Sequence, residues 1–145
     1  KITGRTKHFM NAFGEELIID NADKALKKAC QLTKSDVTEY TAAPVFMKDG
    51  ESGRHQWLIE FIEAPDNLEY FTEILDNTLK ANNSDYEAKR YKDIALHRPE
   101  VIVVKKGTFY KWMKINKKLG GQHKVPRLSN NRVIVEEILK LIPEV

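Results

Sequence analysis

Apolar positions along the chain follow two rhythms, one of period two and one close to 3.6, and the two alternate. Residues 37–46 are rich in β-branched and aromatic side chains, and residues 55–63 place Trp57, Ile59 and Phe61 on one side. Both read as strands. Asp49-Gly50 and Gly53 supply turn chemistry between them, so an antiparallel hairpin is expected. Residues 6–13 and 16–19 flank Gly14 and predict a shorter N-terminal hairpin, the glycine permitting the positive φ of a tight turn. Helical spacing instead links Ala22, Ala25, Leu26, Ala29 and Cys30, in a helix capped by Asp20 or Asn21 and reaching Leu32. The same spacing links Leu68, Phe71, Leu75 and Leu79, in a helix that starts at Asp66 or Asn67.

Asn82-Asn83-Ser84 then punctuates the chain, and residues 85–91 fit a second short helix. The apolar run 101–104 is short enough for a buried strand. Gly107-Thr108 opens a helix with Phe109, Trp112 and Met113 inward, which Gly120-Gly121 stops. Asn131 caps a last helix whose inner stripe is Val135, Ile138, Leu139 and Ile142. No repeat and no long linker divides the 145 residues, which predicts one domain. Prominent hairpins among alternating strands and helices predict an α+β fold, with a mostly antiparallel sheet, packed helices and an N-terminal β-hairpin.

Composition narrows the classes. Apolar residues make up 41% of the chain and charged residues 31%, enough for a core beneath a well-charged surface. No run of about 18 apolar residues is present, so no membrane span is expected, and no charged-then-apolar leader opens the chain. The single cysteine cannot form an internal disulfide, which fits a reducing, cytoplasmic compartment. A start at Lys1 rather than methionine points to a piece of a longer protein.

Net charge is +3, but it is unevenly spread. Residues 101–135 contain no acid and hold Lys105, Lys106, Lys111, Lys114, Lys117, Lys118, Lys124, Arg127 and Arg132. The remaining residues carry 15 basic and 21 acidic groups. An acidic body thus joins a basic C-terminal third, a distribution that suits an anionic partner. One such partner is nucleic acid, with the chain as a stand-alone binding module. No nucleic-acid motif supports that reading.

Self-contained catalytic signatures are missing. There is no Gly-rich phosphate loop, and His8, His55, His97 and His123 have no metal-ligand spacing. Cys30 falls on an apolar helix face and reads as a packed thiol. Phe109, Trp112 and Met113 read as core rather than as a stacking platform, and Glu69, Glu73, Asp76 and Lys80 as a solvated helix face. The best local candidate is Leu119-Gly120-Gly121-Gln122-His123-Lys124-Val125-Pro126-Arg127. Two glycines free the backbone, Pro126 stiffens it, and Lys124 is presented as a mobile ammonium near Arg127. Such a group suits phosphate charge that develops during a reaction. By composition alone, an ordinary solvated loop accounts for the segment better.

Four segments taken in order change that balance. They are Gly4-Arg5-Thr6-Lys7-His8-Phe9-Met10-Asn11-Ala12-Phe13-Gly14-Glu15-Glu16-Leu17, then Asn83-Ser84-Asp85-Tyr86, then Gly107-Thr108-Phe109, then the arm from Gly120 to Arg127. Together they resemble the C-terminal domain of the Gretchen Hagen auxin-responsive acyl-acid amido synthetases, in particular its bacterial branch, within the acyl-adenylate-forming superfamily. The resemblance covers nearly the whole chain.

The resemblance implies a two-step reaction. A carboxylic acid and ATP give an acyl-adenylate and pyrophosphate, and an amine, typically of an amino acid, then displaces AMP to form an amide. It also implies that a large N-terminal domain holds ATP, its Mg²⁺ and the acyl pocket, while this domain closes over it and rotates between the steps. Lys124 stands where the family places the lysine that engages nucleotide phosphate or acyl carboxylate. Arg5 matches the motif that approaches the ribose, and Gln122 and Arg127 share the Lys124 arm. Plant members carry tyrosine where this chain has His123, and a longer arm, which places plant hormone substrates in doubt. The chain alone is expected to be inactive. Another possibility is an interaction domain in a protein that has lost catalysis.

Overall fold

The computed structural model describes residues 9–47, 52–116 and 125–141. The short hairpin is present, with β1 (Phe9–Met10) antiparallel to β2 (Leu17–Ile18) and Gly14 at φ +86° in the turn. Helix α1 (Ile19–Thr33) follows at once, slightly earlier than a cap at Asp20 or Asn21 would place it. Ile18 occupies the N-cap position and has no polar side chain to offer. Asn21 acts from inside the first turn, its Oδ1 accepting the Ile18 N–H at 3.1 Å. That is the inward half of a capping box, so the asparagine does mark the helix start, three residues along.

The two long strands are β3 (Asp36–Phe46) and β4 (Gly53–Glu63), paired antiparallel with Tyr40 opposite Ile59 and Ala42 opposite Trp57. Gly53 has no room for a side chain, since a β-carbon there would run into the Val45 carbonyl and the Phe13 ring. After β4 the chain forms α2 (Leu68–Asn82), α3 (Ser84–Arg90) and a 3-10 turn (Tyr91–Asp93). The Asn67 and Asn83 side chains cap α2 and α3, accepting from Tyr70 N–H and Tyr86 N–H respectively. It then returns as β5 (Glu100–Val104), parallel to β4, because a strand reached through a helical crossover runs in the same direction. The order is β3-β4-β5, which leaves β5 at the edge and Val103 44% exposed, where the apolar run alone reads as buried. Helices α4 (Thr108–Ile115) and α5 (Val133–Leu139) complete the α+β domain. Among the described residues no helix is long and apolar enough to cross a membrane.

Helices cover both faces of the sheet. On one face Trp57, Ile59 and Phe61 meet Ala22, Ala25 and Leu26 of α1 and Phe71, Leu75 and Leu79 of α2. On the other, Leu58 and Ala43 meet Phe109 and Trp112 of α4 and Val135 and Ile138 of α5. Successive strand residues point to opposite faces, so the adjacent Trp57 and Leu58 anchor separate cores. Each such side chain contributes about 1.5–3 kcal/mol through burial.

The solvated-face reading of Asp76 does not hold. Its carboxylate is 4% exposed, against a largely solvated Glu69. Arg90 donates to it through Nη2 at 2.6 Å and Nε at 2.9 Å, and the Tyr86 hydroxyl donates at 2.7 Å. The cause is tertiary: α3 folds back on α2 and delivers both donors to a position that α2's own spacing leaves outward. Burial alone would raise the Asp76 carboxyl. Hydrogen bonds from Arg90 and Tyr86 and the charges of Arg90 and Lys80 outweigh it and hold the group below its ordinary range.

A carboxyl lowered in the folded state stabilises fully above its unfolded value, about 3.9, and loses that contribution as pH falls through the folded value. Asp76→Ala should therefore cost about 3–5 kcal/mol at neutral pH, by removing the buried carboxylate to which Arg90 and Tyr86 donate. It should also shrink the loss of stability between about pH 5 and pH 3. Urea unfolding of both proteins across that range checks both outcomes.

Candidate functional site

The segment that carries Lys124 runs from α4 to a strip beside β3, and both ends are fixed by identifiable contacts. Gly107 precedes α4 in the left-handed region at φ +89°. Its N–H donates to Glu60 Oε2 at 3.1 Å, and the Phe109 N–H donates to Glu60 Oε1 at 3.2 Å. A helix start leaves N–H groups without intrahelical partners and carries partial positive charge, so a carboxylate from the neighbouring strand satisfies both needs. Glu60 is itself buried. Trp112 ties α4 to α5 through its indole N–H, which donates to Glu137 Oε1 at 2.9 Å.

The chain is described again from Val125, which is buried against Trp112's cluster. Thr41 donates its hydroxyl to the Pro126 carbonyl at 2.6 Å, Ala42 N–H donates to the Arg127 carbonyl at 2.8 Å, and Ser129 N–H donates to the Ala42 carbonyl at 3.1 Å. Residues 126–129 thus lie along the outer edge of β3, with Leu128 bridged in parallel to Ala42.

Of the four predicted site residues, Arg127 falls within the described residues, and Arg5, Gln122 and Lys124 lie outside them. Arg127 is half-buried between α1 and β3. Its Nε is 3.4 Å from Glu39 Oε1, its Nη1 is 3.8 Å from Asp23 Oδ2, and its guanidinium carbon is 5.5 Å from the Tyr40 ring centroid. Tyr40 stacks on Trp57 at 5.6 Å and donates its hydroxyl to Asp23 Oδ1 at 2.8 Å. Burial, with the hydrogen bond and charge of Asp23 behind it, pushes the Tyr40 phenol far above its usual value, so it stays a donor. The cluster fixes where the arm returns, three residues after Lys124.

Glu60, Asp23, Glu39 and Tyr40 were not legible as a group. Glu60 did leave one clue: a carboxylate between Ile59 and Phe61, in a strand apolar on both sides, must meet a donor inside the protein. Elsewhere, His55 does find a partner, with Nε2 at 2.6 Å from Glu15 Oε2 in a fully buried pair that fastens the turn of the first hairpin to β4. Cys30 packs beside the core as expected. Burial raises its thiol, the Ser35 hydrogen bond opposes this and the Asp36 charge adds to it, so the thiolate is disfavoured. Depressions along α2, one of about 310 Å³ beside Arg54, Thr72 and Arg98, are lined by none of the predicted site residues. Among the described residues no group of three His, Cys, Asp or Glu side chains could hold a metal ion.

The architecture is similar to that of solved acyl acid amido synthetases. The structure of AtGH3.15 acyl acid amido synthetase in complex with 2,4-DB matches with a TM-score of 0.74, at 18% identity over 95% of this chain. That of GH3.15 acyl acid amido synthetase matches with a TM-score of 0.74, at 20% identity over 96% of this chain. The chain spans 26% of the length of each. At such identities the likeness establishes the fold. Membership follows from the sequence: residues 20–133 match the GH3 family C-terminal domain, and the chain belongs to that family. No curated protein matches it.

Glu60→Ala removes the acceptor for two helix-start N–H groups and should destabilise the domain by about 1–3 kcal/mol. Hydrogen exchange at the Gly107 and Phe109 amides should accelerate more than exchange within β4. Equal acceleration in both would mean that Glu60 supports the core at large rather than the start of α4.

Proposed function

We propose that the chain is the mobile C-terminal domain of an ATP-dependent acyl-acid amido synthetase, inactive as an isolated domain. Its membership of the GH3 family C-terminal domain carries this reading. The parent enzyme joins a carboxylic acid to ATP, releasing pyrophosphate and forming an acyl-adenylate. The amine of an acceptor such as an amino acid then attacks the acyl carbon, and AMP leaves. ATP, Mg²⁺ and the acyl pocket belong mainly to the larger N-terminal domain, which is this chain's principal partner. The lone Cys30 and the reaction's substrates suit the cytoplasm.

This domain contributes Lys124. An ammonium brought to the phosphate during adenylation stabilises the charge that builds up as pyrophosphate departs. Arg5 approaches the ribose and Gln122 accompanies Lys124. The contacts of Arg127 to Glu39 and Asp23 favour a positioning role, setting the return of the arm rather than gripping the nucleotide. A nucleic-acid role draws less support, because Arg127 and Arg132 of the basic third already have acidic partners within the domain.

Acid-dependent exchange between ATP and pyrophosphate in the full-length protein tests the proposal, and the isolated domain should show none. Lys124→Ala should lower that exchange about 10²-fold or more, the scale for loss of one transition-state donor. Exchange at the wild-type rate would remove Lys124 from the reaction.

A further inference from the structure

The first hairpin is tied to the rest of the domain at two places. Its turn is held by Glu15, paired with His55 of β4, and by the Asn83 side chain, which donates to the Glu16 carbonyl at 3.1 Å. Its leading strand, β1, receives hydrogen bonds from one side chain outside the hairpin among the described residues. Asn130 Nδ2 donates to the Phe9 carbonyl at 3.1 Å, and Asn130 Oδ1 accepts from the Asn11 N–H at 2.6 Å. These are the two groups that a parallel strand would engage along the outer edge of β1. A carboxamide serves both because it carries a donor and an acceptor on separate atoms, whereas a carboxylate has no donor.

The clasp joins parts of the chain 121 and 119 residues apart. Asn130 follows directly on the strip beside β3, where the Ser129 N–H donates to the Ala42 carbonyl at 3.1 Å. Asn130 is itself exposed, so water competes for both bonds and their loss costs the fold little. What the clasp sets is position. In the sequence Arg5 precedes Phe9 by four residues, and Lys124 precedes Asn130 by six. One side chain thus links the stretches next to the ribose and phosphate residues of the proposed reaction.

We infer that Asn130 is a positioning residue for acyl-adenylate formation, acting through Arg5 and Lys124 rather than on the nucleotide. Its carboxamide holds β1 at a fixed offset from the strip 126–129, so that the two residues engage one nucleotide from a common frame. This rests on the synthetase reading above, and the test separates the two.

Four variants of the full-length protein serve: Asn130→Ala, Asn130→Asp, Lys124→Ala, and Asn130→Ala combined with Lys124→Ala. Acid-dependent ATP–pyrophosphate exchange should fall about tenfold with Asn130→Ala, since a small misplacement of a group at the reaction is costly. Asn130→Asp keeps the acceptor for Asn11 but loses the donor for Phe9, and should lower exchange about threefold. In the Lys124→Ala background, Asn130→Ala should lower it by less than about twofold, because no offset to Lys124 remains to be held. Losses that multiply in the double variant would make Asn130 a support of the fold and overturn the inference. Amide hydrogen exchange in Asn130→Ala should quicken at Asn11 and stay unchanged within β4, and equal quickening in both would overturn it as well. Wild-type ATP–pyrophosphate exchange in Asn130→Ala would overturn it while leaving the synthetase reading intact. No acid-dependent exchange in the wild type would overturn the synthetase reading and the positioning role together.

Discussion

Strand β4 is buried on both faces over most of its length, and a polar group on such a strand cannot turn to water. His55, Gln56 and Glu60 find partners inside the protein, each in a different element, while His55 Nδ1 and the Trp57 indole N–H stay buried without a hydrogen bond. His55 holds Glu15 in the first hairpin's turn. Gln56 donates to Glu100 of β5 at 3.1 Å and accepts from Arg132, just ahead of α5, at 2.8 Å. Glu60 caps α4. Hydrophobic burial supplies the driving force but is indifferent to register. These three polar residues decide where the hairpin, the edge strand and both C-terminal helices sit.

The placement of the candidate site follows. Ahead of the Lys124 segment, the start of α4 is fixed by a carboxylate on β4, and residues 126–129 after it are fixed by β3, the strand paired to β4. One sheet therefore holds both α4 and the strip 126–129. The described residues thus give the segment stiff flanks. Arg127 reinforces the second flank by bridging α1 to β3 through Asp23 and Glu39.

Much of the fold was legible because it depends on local rules. Period-two burial gave Trp57, Ile59 and Phe61 their common face, and Asn67, one of two residues expected to start α2, caps it by accepting from Tyr70 N–H. What escaped was the pairing of buried polar groups across long separations: Glu60 with residues of α4, Glu15 with His55, Asp76 with Arg90. Asp76 shows why. Spacing along α2 describes that helix's own surface, and only the return of α3 turns part of that surface into interior. The parallel entry of β5 escaped for the same reason, since the run 101–104 is the same in either direction. For the site, local chemistry singled out the Lys124 arm, and the ordered motifs gave it a role. The cluster around Arg127 had no signal of its own.

The structure also divides the basic third by side-chain type. Arginine's planar fork can meet several acceptors at once, and the arginines of this region are drawn inward. Arg132 alone reaches Glu136, the Pro44 carbonyl and Gln56. The described lysines, compact charges on long stems, remain outside: Lys105, Lys106, Lys111 and Lys114 are all exposed. Among the described residues the basic third is thus two populations, arginines that hold the fold and lysines left on the surface. A field made by such lysines acts on whatever anionic surface approaches α4.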